Sequence, residues 1–93
     1  MSLKRQFSDI FELPEEIVMD APLIMLADRH KFYLENHKGV ALYRENGIKV
    51  RLKSGFLQVT GTKLHIDWIE AGVIKISGNI RGLEFIDRTG DNR

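Results

Sequence analysis

The stretch Gly55-Phe56-Leu57-Gln58-Val59-Thr60-Gly61 recurs, position for position in polarity, at Gly72-Val73-Ile74-Lys75-Ile76-Ser77-Gly78. At the same offset, Ile66-Asp67-Trp68-Ile69-Glu70 is matched by Leu83-Glu84-Phe85-Ile86-Asp87, and Gly39 opens a looser copy. Within each copy apolar and polar residues alternate, which is the period of a half-buried β-strand, and glycine stands at both ends. A glycine-bounded strand unit that repeats along the chain is read as successive hairpins or as rungs of a solenoid.

The alternation extends outward from the repeat. Apolar residues fall at Ile24 and Leu26, Phe32 and Leu34, Val40 and Leu42, and Ile48, Val50 and Leu52. It resumes at Leu57 and Val59, at Leu64, Ile66 and Trp68, at Ile74 and Ile76, and at Leu83 and Phe85. Opposed residues of a hairpin share a face, so turn lengths test the hairpin reading. Core then faces core with loops at Glu45-Asn46-Gly47, Ser54-Gly55, Gly61-Thr62, Glu70-Ala71-Gly72 and Gly78-Asn79; the last also sets Ile76 against Arg81. The expected fold is all-β, an antiparallel meander of about seven or eight short strands curled into a small barrel or sandwich. A β-solenoid is the alternative. Trp68 belongs to the inward series of this scheme.

Residues 1–22 follow another pattern. Phe7, Ile10 and Phe11 share a helical face, Pro14 suits a first helical position, and Pro22 disfavours helix at Ala21. This segment is expected to be a helical or extended cap, with Phe7, Ile10 and Phe11 plugging an open end of the sheet. Residues 23–87 form the all-β domain, and 88–93 a disordered tail.

Ninety-three residues hold one domain with one modest core. A net charge of +1 gives no bulk electrostatic argument for nucleic acid, and none is expected as a partner. Without cysteine there is no disulfide and no thiolate metal site. No secretory signal is read in Met1 to Glu12, and the longest apolar run, Leu23 to Ala27, is far short of the ~20 residues of a membrane span. A cytoplasmic protein, peripheral to a membrane at most, is the expectation.

Residues that carry chemistry are sparse. Ser54 and Ser77 sit at strand ends without a nucleophile elbow. Asp28-x-His30 and Glu35-x-His37 each place a carboxylate and an imidazole together, but a metal centre needs three or four converging ligands. The glycines punctuate strands and do not cradle a phosphate. No cofactor, metal or catalytic residue is assigned, and the chain is read as non-enzymatic. Lys49, Arg51 and Lys53 alternate with core residues, forming a basic row that is read first as a solvated, edge-guarding face and second as a candidate surface for anionic lipid or an RNA backbone.

Leu13-Pro14-Glu15-Glu16-Ile17-Val18-Met19-Asp20-Ala21-Pro22, followed by Phe32-Tyr33-Leu34-Glu35-Asn36-His37-Lys38-Gly39-Val40, resembles the YabP/YqfC family of sporulation proteins. The Leu-Pro opening is closer to the YqfC branch. Residues 13–86 carry the resemblance, and Glu35-Asn36-His37-Lys38-Gly39 is its most specific part. Ala27-Asp28 departs from it, since a glycine is expected in the first turn. The resemblance implies a non-enzymatic protein made in the mother cell and needed for spore maturation. It would act with a membrane-embedded partner at the outer forespore membrane, with Glu35, Asn36, His37 and Gly39 as motif residues for partner binding or loop structure. A second reading is a homopolymerising β scaffold, because near-identical repeats and open strand edges template pairing between copies.

Overall fold

The computed structural model describes residues 3–87; the tail expected to be disordered, 88–93, lies outside them. Two short helices, α1 (Leu3–Phe11) and α2 (Glu15–Asp20), precede six strands. These are β1 (Leu23–Ala27), β2 (Lys31–Glu35), β3 (Val40–Arg44), β4 (Gly47–Leu52), β5 (Gly55–Glu70) and β6 (Val73–Ile86). Every pairing is antiparallel and the sheet order is β1-β2-β6-β5-β4-β3. The fold is therefore all-β, and antiparallel pairing excludes the solenoid.

The expected short strands merge. Gly61-Thr62 and Gly78-Asn79 are not turns; they lie inside β5 and β6, which pair from Phe56↔Ile86 to Glu70↔Val73. Register shifts at Thr60/Gly61 and Thr62/His65 bend this long ribbon, since a bulge adds a residue to one strand and increases its twist. A Cβ on Gly61 would lie 2.0 Å from the Asn79 carbonyl oxygen, so glycine stands there to let two backbones approach.

The bent ribbon serves two half-sheets. In one, inward rows run Ile24-Leu34-Ile74-Ile69 and Leu26-Phe32-Ile76-Ile66 across β1, β2, β6 and β5. In the other, Val40-Val50-Leu57-Phe85 runs across β3, β4, β5 and β6, and Ile48, Val59 and Leu83 lie alongside. Phe32, Leu34, Ile74 and Ile76 of the first half join Ile48, Val50, Leu57 and Val59 of the second in one buried cluster. Burial of about 25 cal/mol per Å² of apolar surface drives the halves together. The ends of the rows stay open: Leu26, Ile69 and Phe85 are exposed.

Other registers also differ from expectation. The turn before β4 is Glu45-Asn46, with Arg44 opposite Gly47, which sets Leu42 against Lys49, not Val50; a register shift between Val40 and Leu42 then sets Val40 against Val50, not Leu52. The next turn is Lys53-Ser54, setting Val50 against Leu57. The ribbon closes through Ala71-Gly72. A register shift between Ile66 and Trp68 reverses the parity expected of Trp68, which pairs with Lys75 on the outer face and is 53% exposed. In the first turn Asp28 and Arg29 take positive φ, so the geometry that glycine would supply is adopted without it.

At the N-terminus, Pro14 precedes α2 as its cap, and Ala21 is extended before Pro22. Phe7, Ile10 and Phe11 do not plug the sheet: all three are exposed, and Phe7 and Phe11 stack at 4.7 Å. Helix α1 instead buries Lys4 and Ser8.

Candidate functional site

Residues 35–39 carry the chain from the first half-sheet to the second, and their side chains are fixed from three directions. Asn36 adopts φ 70°, a conformation its short polar side chain tolerates. Its Nδ2 donates to the Met19 carbonyl at 2.8 Å and the Ala21 carbonyl at 3.1 Å. Lys4 Nζ donates to the same two carbonyls, at 3.1 and 2.6 Å. Those oxygens lie at the C-terminal end of α2, where no intrahelical partner exists and positive charge is favoured. Burial lowers the pKa of Lys4, while the carboxylates of Glu35 and Asp20 act in the opposite sense.

His37 is 7% exposed. Its Nδ1 accepts from the Gly39 N–H at 2.9 Å, which makes Nε2 the protonated nitrogen. Nε2–H faces the carbonyls of Glu70 and Val73, at 3.0 and 3.2 Å, across the Ala71-Gly72 turn. The backbone adds Lys38 N–H to Arg51 O at 2.8 Å and Arg51 N–H to Gly39 O at 2.7 Å. Glu35 accepts from the Tyr33 hydroxyl at 2.5 Å, and that hydrogen bond, with burial, pushes the phenol up to about 12. Glu35, Asn36, His37 and Gly39 thus lie together, tying helices, ribbon and β4 into one body.

This geometry sets an expected result. His37→Ala leaves two partly buried carbonyls and one N–H without their imidazole partner, at a cost of about 2–4 kcal/mol. Thermal melting should fall by roughly 10–20 °C. A variant with unaltered melting that has lost a binding partner would instead make His37 a recognition residue.

The basic row points outward from β4 but is engaged. Lys49 Nζ lies 5.3 Å from the Phe56 ring centroid, a cation–π arrangement. Arg51 Nη1 donates to the Val40 carbonyl at 3.1 Å. Lys53 pairs with Asp20, and this hydrogen bond holds the Asp20 carboxyl below the usual carboxylate range. Both side chains are exposed, so the pair is open to screening by salt, and acid that protonates Asp20 removes it. Lys38, Arg51 and Lys53 line a cavity of about 370 Å³ with Leu52, Gly55 and Phe56.

Two features escaped the sequence reading. Ser77 donates to Asp67, accepts from Lys31 Nζ at 2.9 Å, and Asp67 meets His65 Nε2 at 3.0 Å. These residue types occur in hydrolase triads, but here the carboxylate lies between the serine and the histidine, so the imidazole does not reach the hydroxyl as it does in a triad. His30 Nδ1 is in turn 3.2 Å from the Gly78 carbonyl. The second feature is the inverted helix. With Lys4 and Ser8 inward, Phe7, Ile10 and Phe11 look outward beside exposed Leu13, Ile17 and Met19. Between α1, α2 and the start of β1 lies an apolar groove of about 260 Å³. Phe7, Leu13, Ile17, Val18 and Leu23 are among its lining residues. Lys4, Phe7, Ser8 and Phe11 stand at i, i+3, i+4 and i+7, neighbours on one helical side, so the spacing alone does not show which of them turn inward. Contiguous exposed apolar side chains are a recurrent feature of interaction sites. No helix among the described residues is long and apolar enough to cross a membrane.

Comparison with known proteins agrees with the family resemblance read in the sequence. A model of the YabP family matches residues 20–92. An uncharacterised protein of Bacillus subtilis (strain 168), YqfC, is 29% identical over 85 residues, covering 91% of each chain.

Proposed function

The chain belongs to the YabP family, and from that premise we propose that it is a non-enzymatic sporulation protein acting in spore maturation. In this reading it works in the mother cell, as a peripheral module that docks a membrane-embedded partner at the outer forespore membrane. The observation that carries the docking is the outward apolar face of α1, with Ile10 72% and Phe11 58% exposed beside the groove. A free monomer gains nothing by presenting these side chains to water, whereas a partner that covers them recovers on the order of 1.5–3 kcal/mol for each one fully buried. The non-enzymatic part is supported by where the buried polar groups go. His37, Lys4, Ser8 and Ser77 all use their polar atoms on internal hydrogen bonds.

The test is genetic and biochemical together. Removing the gene should leave vegetative growth normal and halt spores during maturation. The tagged chain, expressed in sporulating cells whose membranes are then solubilised, should retain an integral membrane protein. Normal spores from the deletion strain, or a chain that retains no membrane protein, would refute the reading.

A further inference from the structure

We infer that the groove between α1, α2 and β1 receives a polypeptide segment whose apolar side is flanked by Lys and Arg. This rests on the function proposed above and adds the chemistry of the partner. The groove continues past Phe7, Leu23 and Ile24 into a second apolar hollow of about 200 Å³ that reaches Ile10 and Met25. An elongated apolar trough of this kind suits the apolar stripe of a helix or an extended segment.

Charge selects the occupant. Among the described side chains, the exposed carboxylates of the helical module are Asp9, Glu12, Glu16 and Asp20, and Asp20 is paired with Lys53. Its cations are Lys4, turned inward onto carbonyl oxygens, and Arg5. The module around the trough is therefore net acidic. An anionic bilayer surface is repelled by it, and a second copy docking face to face would bring Asp9, Glu12 and Glu16 of both chains together. A segment with basic flanks is attracted. Excess Lys and Arg next to an apolar stretch is what cytoplasmic ends of membrane-spanning segments carry.

The experiment screens the full chain against a displayed library of apolar-striped peptides with randomised flanks. Enrichment of Lys and Arg at the flanks is expected. The affinity of a synthetic copy of the selected peptide should fall about tenfold or more in Ile10→Asp/Phe11→Asp. In Glu12→Lys/Glu16→Lys the preference should turn to acidic flanks. All four side chains are exposed, so melting curves should stay close to that of the unaltered chain. Enrichment of acidic or uncharged flanks, or no enrichment, overturns the proposal. So does binding of the unaltered chain to phosphatidylglycerol vesicles, or a dimer that Ile10→Asp/Phe11→Asp dissolves. If that variant still retains the membrane protein from sporulating cells, the groove is wrong and the proposed function stands. If the unaltered chain retains none, the function falls and takes this inference with it.

Discussion

Gly61→Ala should be severely damaging although it adds a single methyl group. The new Cβ would sit 2.0 Å from the Asn79 carbonyl oxygen and 3.1 Å from the Ile80 Cα. Both contacts are backbone, so no side-chain rotation relieves them, and the β5–β6 ribbon must separate at its bend. A loss of about 4–5 kcal/mol is expected, most of the stability of a domain this size. Circular dichroism during urea unfolding would show a chain largely unfolded without denaturant. Gly72→Ala is the control. Its φ of 86° is unfavourable for alanine, but the added methyl has open space, so about 1 kcal/mol is expected. Equal losses in the two variants would mean that backbone conformation, not the close approach, governs Gly61.

Phe32→Ala and Trp68→Ala make the second pair. Phe32 is 2% exposed and contacts the cluster shared by both half-sheets, so its truncation should cost about 3–5 kcal/mol. Trp68, on the outer row with Lys75, should cost less than about 1 kcal/mol. Before any mutation, a soluble quencher such as iodide should reach the fluorescence of Trp68, the chain's one tryptophan. Shielding from the quencher together with a large loss in Trp68→Ala would return that side chain to the core.

Trp68 also shows where sequence reasoning stops. Alternation places core residues correctly along β2, β4 and the first halves of β5 and β6, because an unbroken strand keeps its parity. A register shift inserts one residue without any compositional signature, and every side chain beyond it changes face. Glycine is ambiguous for a related reason. At Gly72 it makes a turn, and at Gly61 it makes room, yet both are glycines closing an alternating stretch. The repeat is the trace of two half-sheets built on one ribbon, a meaning that pairing supplies and the chain order does not.

The candidate site was half legible. Glu35-Asn36-His37-Lys38-Gly39 stood out as residues at the end of a strand, but the carbonyls that the His37 and Asn36 side chains engage come from residues 15 to 36 positions away. The helical face of Phe7, Ile10 and Phe11 was visible, and its direction was not. Apolar residues are expected inside, yet Lys4 and Ser8 turn inward, where they meet carbonyls of α2, Ala21 and Leu13. An inward lysine is costly unless paired, so the sequence default was the opposite orientation.

The shared ribbon has a consequence for the order of events in folding. Strand β2 has β1 as a local neighbour, but its other edge waits for residues 73–77. Phe56, at the start of β5, waits for Ile86. Neither half-sheet can be completed by the residues nearest to it, and the strand that completes both follows the other five in the chain. Loops between such distant contacts must close before any contact rewards them, which makes for slow folding in a single cooperative step. Amides of β2 and β4 should then exchange hydrogen at a common rate, although they lie in different halves.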